Sequence, residues 1–249
     1  MENTPPPHPS VPPQFPAAVA SQTPAAIGDD PAERVPIPNS MAAIEAILRQ
    51  PRRVLYHLRQ PGAGGLILSM VIIGIACSLI YGVVVGSFSM GTQLWAAPVK
   101  IAGGLLFAAV ICLPSLYIFA CLSGSRARLI EIIGLVAGLL MLMTLLLIGF
   151  APIAWLFSQS TDSKIWMGIL HLVFWGIATI FGLRFLDAGF TQSQARSKAG
   201  LNTWVVVFIL VVLQMTTALR PIVGTADTLL PTQKKFFLGH WGDSLENRE

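Results

Sequence analysis

IAGGLLFAAVICLPSLYIFACL (101–122) and IIGLVAGLLMLMTLLLIGF (132–150), separated only by SGSRARLIE (123–131), decide how this chain is read. Each apolar run has the roughly 20 residues needed to cross a hydrocarbon core. A connector this short makes the two helices antiparallel neighbours. The rest of the chain adds spans and tails to this hairpin. Residues 60–99, 101–125 and 132–161 contain no Asp, Glu, Lys or Arg, so charge is confined to the breaks between runs. At 54% hydrophobic and 11% charged, the chain carries less than half the charge density of about 25% typical of a soluble domain. The expected fold is all-α, a polytopic transmembrane bundle of five spans over residues 62–220.

Working outward from the hairpin, the first span is expected near 66–87, with Gly74, Ser78, Gly82 and Gly86 at every fourth position. Small residues at that spacing let helix backbones approach closely, which in lipid replaces the missing hydrophobic drive. Gly134 and Gly138 repeat the arrangement on the third span. Pro114, within the second span, removes one helical hydrogen bond and predicts a kink there, with Ser115 available to satisfy a freed group. A fourth span is expected near 165–186 and a fifth near 201–219. The fifth is the least hydrophobic, carrying Gln214 and two threonines. His171 is the one titratable side chain placed well inside a span by this reading, so His171, Pro114 and Gln214 form the candidate intramembrane polar site. Trp95, Trp155 and Phe157 fall where interfacial anchors belong.

Residues 1–38 hold eleven prolines and few large apolar side chains, and are expected to form a disordered tail. Residues 39–61 place Met41, Ile44, Ile47, Leu48, Val54, Leu55 and Leu58 at helical spacing, with a break at Pro51. Two readings stand: an amphipathic helix lying in the membrane interface with Arg49, Arg52, Arg53 and Arg59 facing lipid headgroups, or a helix packed on the ends of the bundle. Residues 221–249 make a C-terminal tail with an aromatic cluster at 236–241. No basic, short-cored leader precedes the spans, so the first span is expected to serve as its own insertion signal.

Ten basic residues fall before the first span and in the second-to-third and fourth-to-fifth connections, against six on the opposite side. The positive-inside rule then puts the N-terminus in the cytoplasm and, with five spans, the C-terminus outside a cell membrane. The formal charge of +4 in such loops points to anionic lipid rather than nucleic acid as partner. Other membrane proteins or a second copy are further expected partners. No HExxH, GxSxG or phosphate-binding loop occurs in a usable context, so no catalytic residue, metal ligand or cofactor is assigned. Cys77, Cys112 and Cys121 lie in apolar runs and read as small packing residues.

The five spans, the kinked PSLYIFACLSGS of the second, the tight hairpin after it and the closing LQMTTALRPIVG resemble the Yip1 family in its bacterial form, over residues 45–241. The resemblance implies a non-enzymatic membrane protein acting in membrane organisation or as an accessory subunit. The residues leave a second class open, a small transporter or channel component with a path near Pro114 and His171.

Overall fold

A computed structural model describes residues 27–88, 93–161, 163–193 and 199–218, and among these the regular structure is entirely helical. A single 3-10 turn, Pro31–Arg34, precedes α1 (Ser40–Arg49) and α2 (Pro51–Arg59). Asn39 caps α1 by accepting from the Ala42 N–H at 2.8 Å. Pro51 lacks the N–H that would continue α1 and instead starts α2 as its first residue, where that group would have no helical partner. The long helices follow: α3 (Gly64–Ser87), α4 (Gln93–Leu122), α5 (Leu129–Ser160), α6 (Lys164–Gln192) and α7 (Ala199–Ala218). Four of them, α3 to α6, are long and apolar enough to cross a membrane, the architecture of a multi-pass membrane protein. In α7 the apolar stretch is Ala199–Met215, shorter than the other four.

Three boundaries differ from the sequence reading. Residues 93–99, expected in a connection, are the first turns of α4, which continues through both Pro98 and Pro114. The third span does not stop near Pro152 but runs on to Ser160, and α6 runs on to Gln192. Proline costs a membrane helix little where neighbouring helices and hydroxyls compensate the freed groups. The Ser115 hydroxyl, expected to satisfy a freed group, instead donates to the Cys112 carbonyl at 2.8 Å, whereas the carbonyl that Pro114 frees is that of Val110, four residues earlier.

Packing sets the helices in the spatial order α6, α5, α3, α4, α7: α5 lies between α3 and α6, α4 covers the other side of α3, and α7 packs on α4. The leucine- and methionine-rich half of α5 contributes to the core. Leu139, Met141, Met143 and Leu147 are fully buried. Such side chains suit lipid and a helical core equally, so composition alone could not distinguish the two.

The two ends of the bundle differ in chemistry. At one end lie α1, α2, the connection between α4 and α5 and the C-terminal turns of α6, with most of the arginines. At the other, Trp95, Trp155 and Trp166 on α4, α5 and α6 are all exposed. The first is the basic end, the second the aromatic end.

Candidate functional site

Gly74, Ser78, Gly82 and Gly86 of α3 are all buried, yet they do not serve one partner. Four residues turn a helix by 400°, so a stripe at that spacing drifts about 40° per step. Gly74 accordingly faces α5, where a Cβ would lie 3.6 Å from the Met141 Cα. Two steps on, Gly82 faces α4, and a Cβ there would collide with the backbone of Pro98. The pair on α5 divides in the same way. Gly134 meets the Leu58 methyls of α2, and Gly138 meets the Phe185 ring of α6. Gly182 and Gly189, which the sequence did not single out, press on Leu139 with Met143 and on Leu135 of α5. Their seven-residue spacing, one side of a helix over two turns, was the available signal.

The candidate intramembrane residues do not converge. Pro114 is exposed on the outside of α4, and His171 is buried on α6, a helix without substantial packing against α4. Gln214 lies on α7. His171 instead finds Tyr81 of α3: Tyr81 Oη and His171 Nδ1 share a hydrogen bond of 2.7 Å, and the rings meet edge-on with centroids 5.8 Å apart. Tyr81 is fully buried and His171 nearly so. His171 Nε2 has no hydrogen-bond partner among the described residues. Tyr81 was missed because a tyrosine within an apolar run carries no signal of a partner 90 residues away.

Lys100 is a second surprise. Placed by the sequence in the connection outside the membrane, it lies within α4, only 3% exposed, and its Nζ has no hydrogen-bond partner among the described residues. Tyr81, Lys100 and His171 stand six or seven residues inside the aromatic-end termini of their helices, roughly 10 Å deep at 1.5 Å per residue. A cavity lined by Gly74, Ser78, Leu105, Ala137 and Thr144 amounts to about 20 Å³, enough for a single water.

Replacing Tyr81 by Phe orphans the second imidazole nitrogen, and replacing His171 by Phe orphans the phenol. Each single change is expected to cost about 1–2 kcal/mol, near the upper end for interhelical bonds in membranes. The double variant should cost little more than either alone, because both ends of the bond leave together. Equilibrium unfolding in detergent checks this; strictly additive costs would show that the hydrogen bond contributes nothing.

At the basic end the arginines expected to face lipid are largely engaged by the chain itself. Residues 27–38, read from sequence as part of a disordered tail, form a strap across α2. Its 3-10 turn is capped by Asp30, which accepts from the Ala32 N–H. Glu33, the one charged residue of the strap that is buried, accepts from the Gly28 N–H at 2.6 Å and from Arg52 Nε. Arg53 donates to the Val35 and Pro36 carbonyls at 2.9 and 2.6 Å, and His57 Nε2 donates to the Val35 carbonyl at 2.8 Å. Gly28 takes a positive φ of 91° with the Tyr56 ring against it, a conformation a side chain would strain. Ile27 reaches a groove lined by Leu55, Leu58, Ala127, Leu135 and Gly189.

Arg49 pairs with Glu45 and stays exposed, and the Arg59 carbonyl accepts from Arg128. The apolar side of α1 and α2 is occupied as well. Ala46, Ile47, Val54, Leu55 and Leu58 are buried, with both helices packed on α5 and α1 also on α3. That is the geometry of the second sequence reading, a helix set on the end of the bundle. The tail segments 1–26 and 221–249, with the aromatic cluster at 236–241, lie outside the described residues, as do the side chains of Thr216 and Thr217.

No family model matches the chain, and no curated protein or solved structure matches it either.

Proposed function

We propose that the protein is a non-enzymatic, five-span protein of the cell membrane that works as an accessory or organising subunit through helix packing and contacts with lipid or other membrane proteins. The observation that carries this reading is the small size of the cavity between the long helices. The buried polar pair Tyr81–His171 is spent on joining α3 to α6, Pro114 points away from the interior, and the cavity between α3, α4 and α5 has room for about one water. A solute path near Pro114 and His171 finds no support in that packing. What the molecule offers to partners is its outer surface: an apolar belt including Ile72, Val83, Phe107, Val110 and Ile118, the basic end and the ring of tryptophans. This is the kind of role that the resemblance to the Yip1 family implies.

In the same proposal α7 is the fifth span, the basic end faces the cytoplasm and the C-terminus lies outside. The positive-inside count supports that orientation.

Single cysteines in a background lacking Cys77, Cys112 and Cys121, probed with a membrane-impermeant maleimide on intact cells, test both parts. Positions at the aromatic end such as Ser158 should label from outside, and Arg49 only after permeabilisation. Positions around Pro114 and His171 should stay unlabelled. A continuous labelled stripe along α4 or α6 would establish a pore and overturn the accessory role.

A further inference from the structure

We propose that the strap of residues 27–38 is a releasable clip on an anionic-lipid site, with the Glu33 carboxylate on Arg52 and the Val35 and Pro36 carbonyls on Arg53 standing where a lipid phosphate binds once the strap lifts. The inference rests on the proposed placement of the basic end at a lipid leaflet.

The chemistry of the contact is that of an anion in a cationic site. A carboxylate oxygen of Glu33 takes the Arg52 Nε–H, while the Arg53 guanidinium and the His57 ring hold carbonyl oxygens of Val35 and Pro36. All of these acceptors are oxygens that a headgroup phosphate can replace, and guanidinium groups bind phosphate as they bind carboxylate. The site sits at the membrane boundary, because α2 ends at Arg59 and the first apolar span begins at Gly64. Arg49 on the preceding helix is already open to solvent, and a leaflet of anionic lipid attracts each such side chain.

The strap is lightly attached. Of residues 28–38, only Gly28 and Glu33 are buried, so its hold depends on one carboxylate, a few hydrogen bonds and the partly buried Ile27 and Ile37. Release would leave the helices of the bundle in place, since α1 and α2 are fastened to α3 and α5 by their own apolar sides. It would present Arg52, Arg53 and His57 together on one helix. Occupied by the strap, the site is silent; occupied by lipid, it frees residues 27–38 from the bundle.

Hydrogen exchange read by mass spectrometry on the whole protein in nanodiscs tests this. In phosphatidylcholine the amides of residues 28–35 should be protected. In discs rich in phosphatidylglycerol they should exchange about tenfold faster or more, given two arginines near an anionic surface. Glu33→Gln should exchange fast in both lipids, and an Arg52→Gln/Arg53→Gln variant should lose the difference between lipids. Wild-type protection that is equal in the two lipids, with Glu33→Gln fast, would overturn the lipid site while leaving the clip. Glu33→Gln as protected as wild type would overturn the clip. Release in phosphatidylcholine by inorganic phosphate at millimolar concentration would identify a soluble anion and overturn the lipid assignment. None of these outcomes depends on the maleimide labelling, so failure of the accessory reading would be seen separately.

Discussion

Gly82→Ala is expected to destabilise the protein by about 3 kcal/mol, the upper part of the range for overpacking, and Gly82→Leu to prevent α3 and α4 from docking. The reason is what the added carbon meets. At Gly82 it runs into Pro98 Cα, with Pro98 N at 2.8 Å. Both are backbone atoms of a helix that cannot yield without moving as a whole. The other glycines grade below it. At Gly134 the added carbon meets the methyl ends of Leu58, which can change rotamer, so Gly134→Ala should cost about 1 kcal/mol. At Gly74 the nearest atom is 3.6 Å away, an ordinary contact, and Gly74→Ala should be nearly neutral. Unfolding of the three alanine variants in the same detergent gives the order directly. Equal effects at Gly82 and Gly74 would mean that the close approach of α3 to α4 is not needed for stability.

Trp204→Ala should free α7 from the bundle. Trp204 is fully buried, stacks on Phe208 with centroids 4.9 Å apart, and donates from Nε1 to the Cys112 carbonyl at 2.9 Å. That carbonyl also accepts from Ser115, beside Pro114, so the proline segment of α4 is where α7 is fastened. Removing an aromatic side chain of this size from a packed site costs about 3–5 kcal/mol. Because α7 packs mainly on α4, the loss is concentrated on one helix contact. Trp204→Phe keeps a stacked ring and loses only the hydrogen bond, an expected cost of about 1 kcal/mol. Amide protection along 199–218 is the readout. Unchanged protection in Trp204→Ala would place the anchor of α7 elsewhere, with Leu201 and Phe208 the next buried residues to replace.

Both predictions turn on contacts between residues far apart in the chain, and that is where the sequence ran out. Hydropathy alone determined the four long helices, because an uninterrupted apolar run of membrane length has few other uses. The small-residue spacing on α3 and α5 was legible too, as was the break between α1 and α2 at Pro51, where a missing N–H is a local fact. The ends of the helices were not. Hydropathy starts the second span at Ile101 and ends the third near Pro152, yet α4 already includes Pro98 and α5 runs on through Pro152, because proline is tolerated in a membrane helix where its freed groups find other partners.

The side of each residue was decided only in three dimensions. A periodic pattern says that Ile47 and Leu58 share a face, but lipid and protein are equally apolar, and only the packing on α3 and α5 shows which of the two covers them. The same ambiguity hid the buried half of α5, while Lys100 was misplaced because α4 begins at Gln93, ahead of the apolar run that marked the span. Arg52 and Arg53 look like headgroup ligands in any one-dimensional reading, because their partners Glu33, Val35 and Pro36 lie 17 to 19 residues earlier in a proline-rich stretch. Tyr81 and His171 are 90 positions apart. A hydrogen bond over that separation is written in no local pattern and exists only because α3 and α6 are brought together around α5.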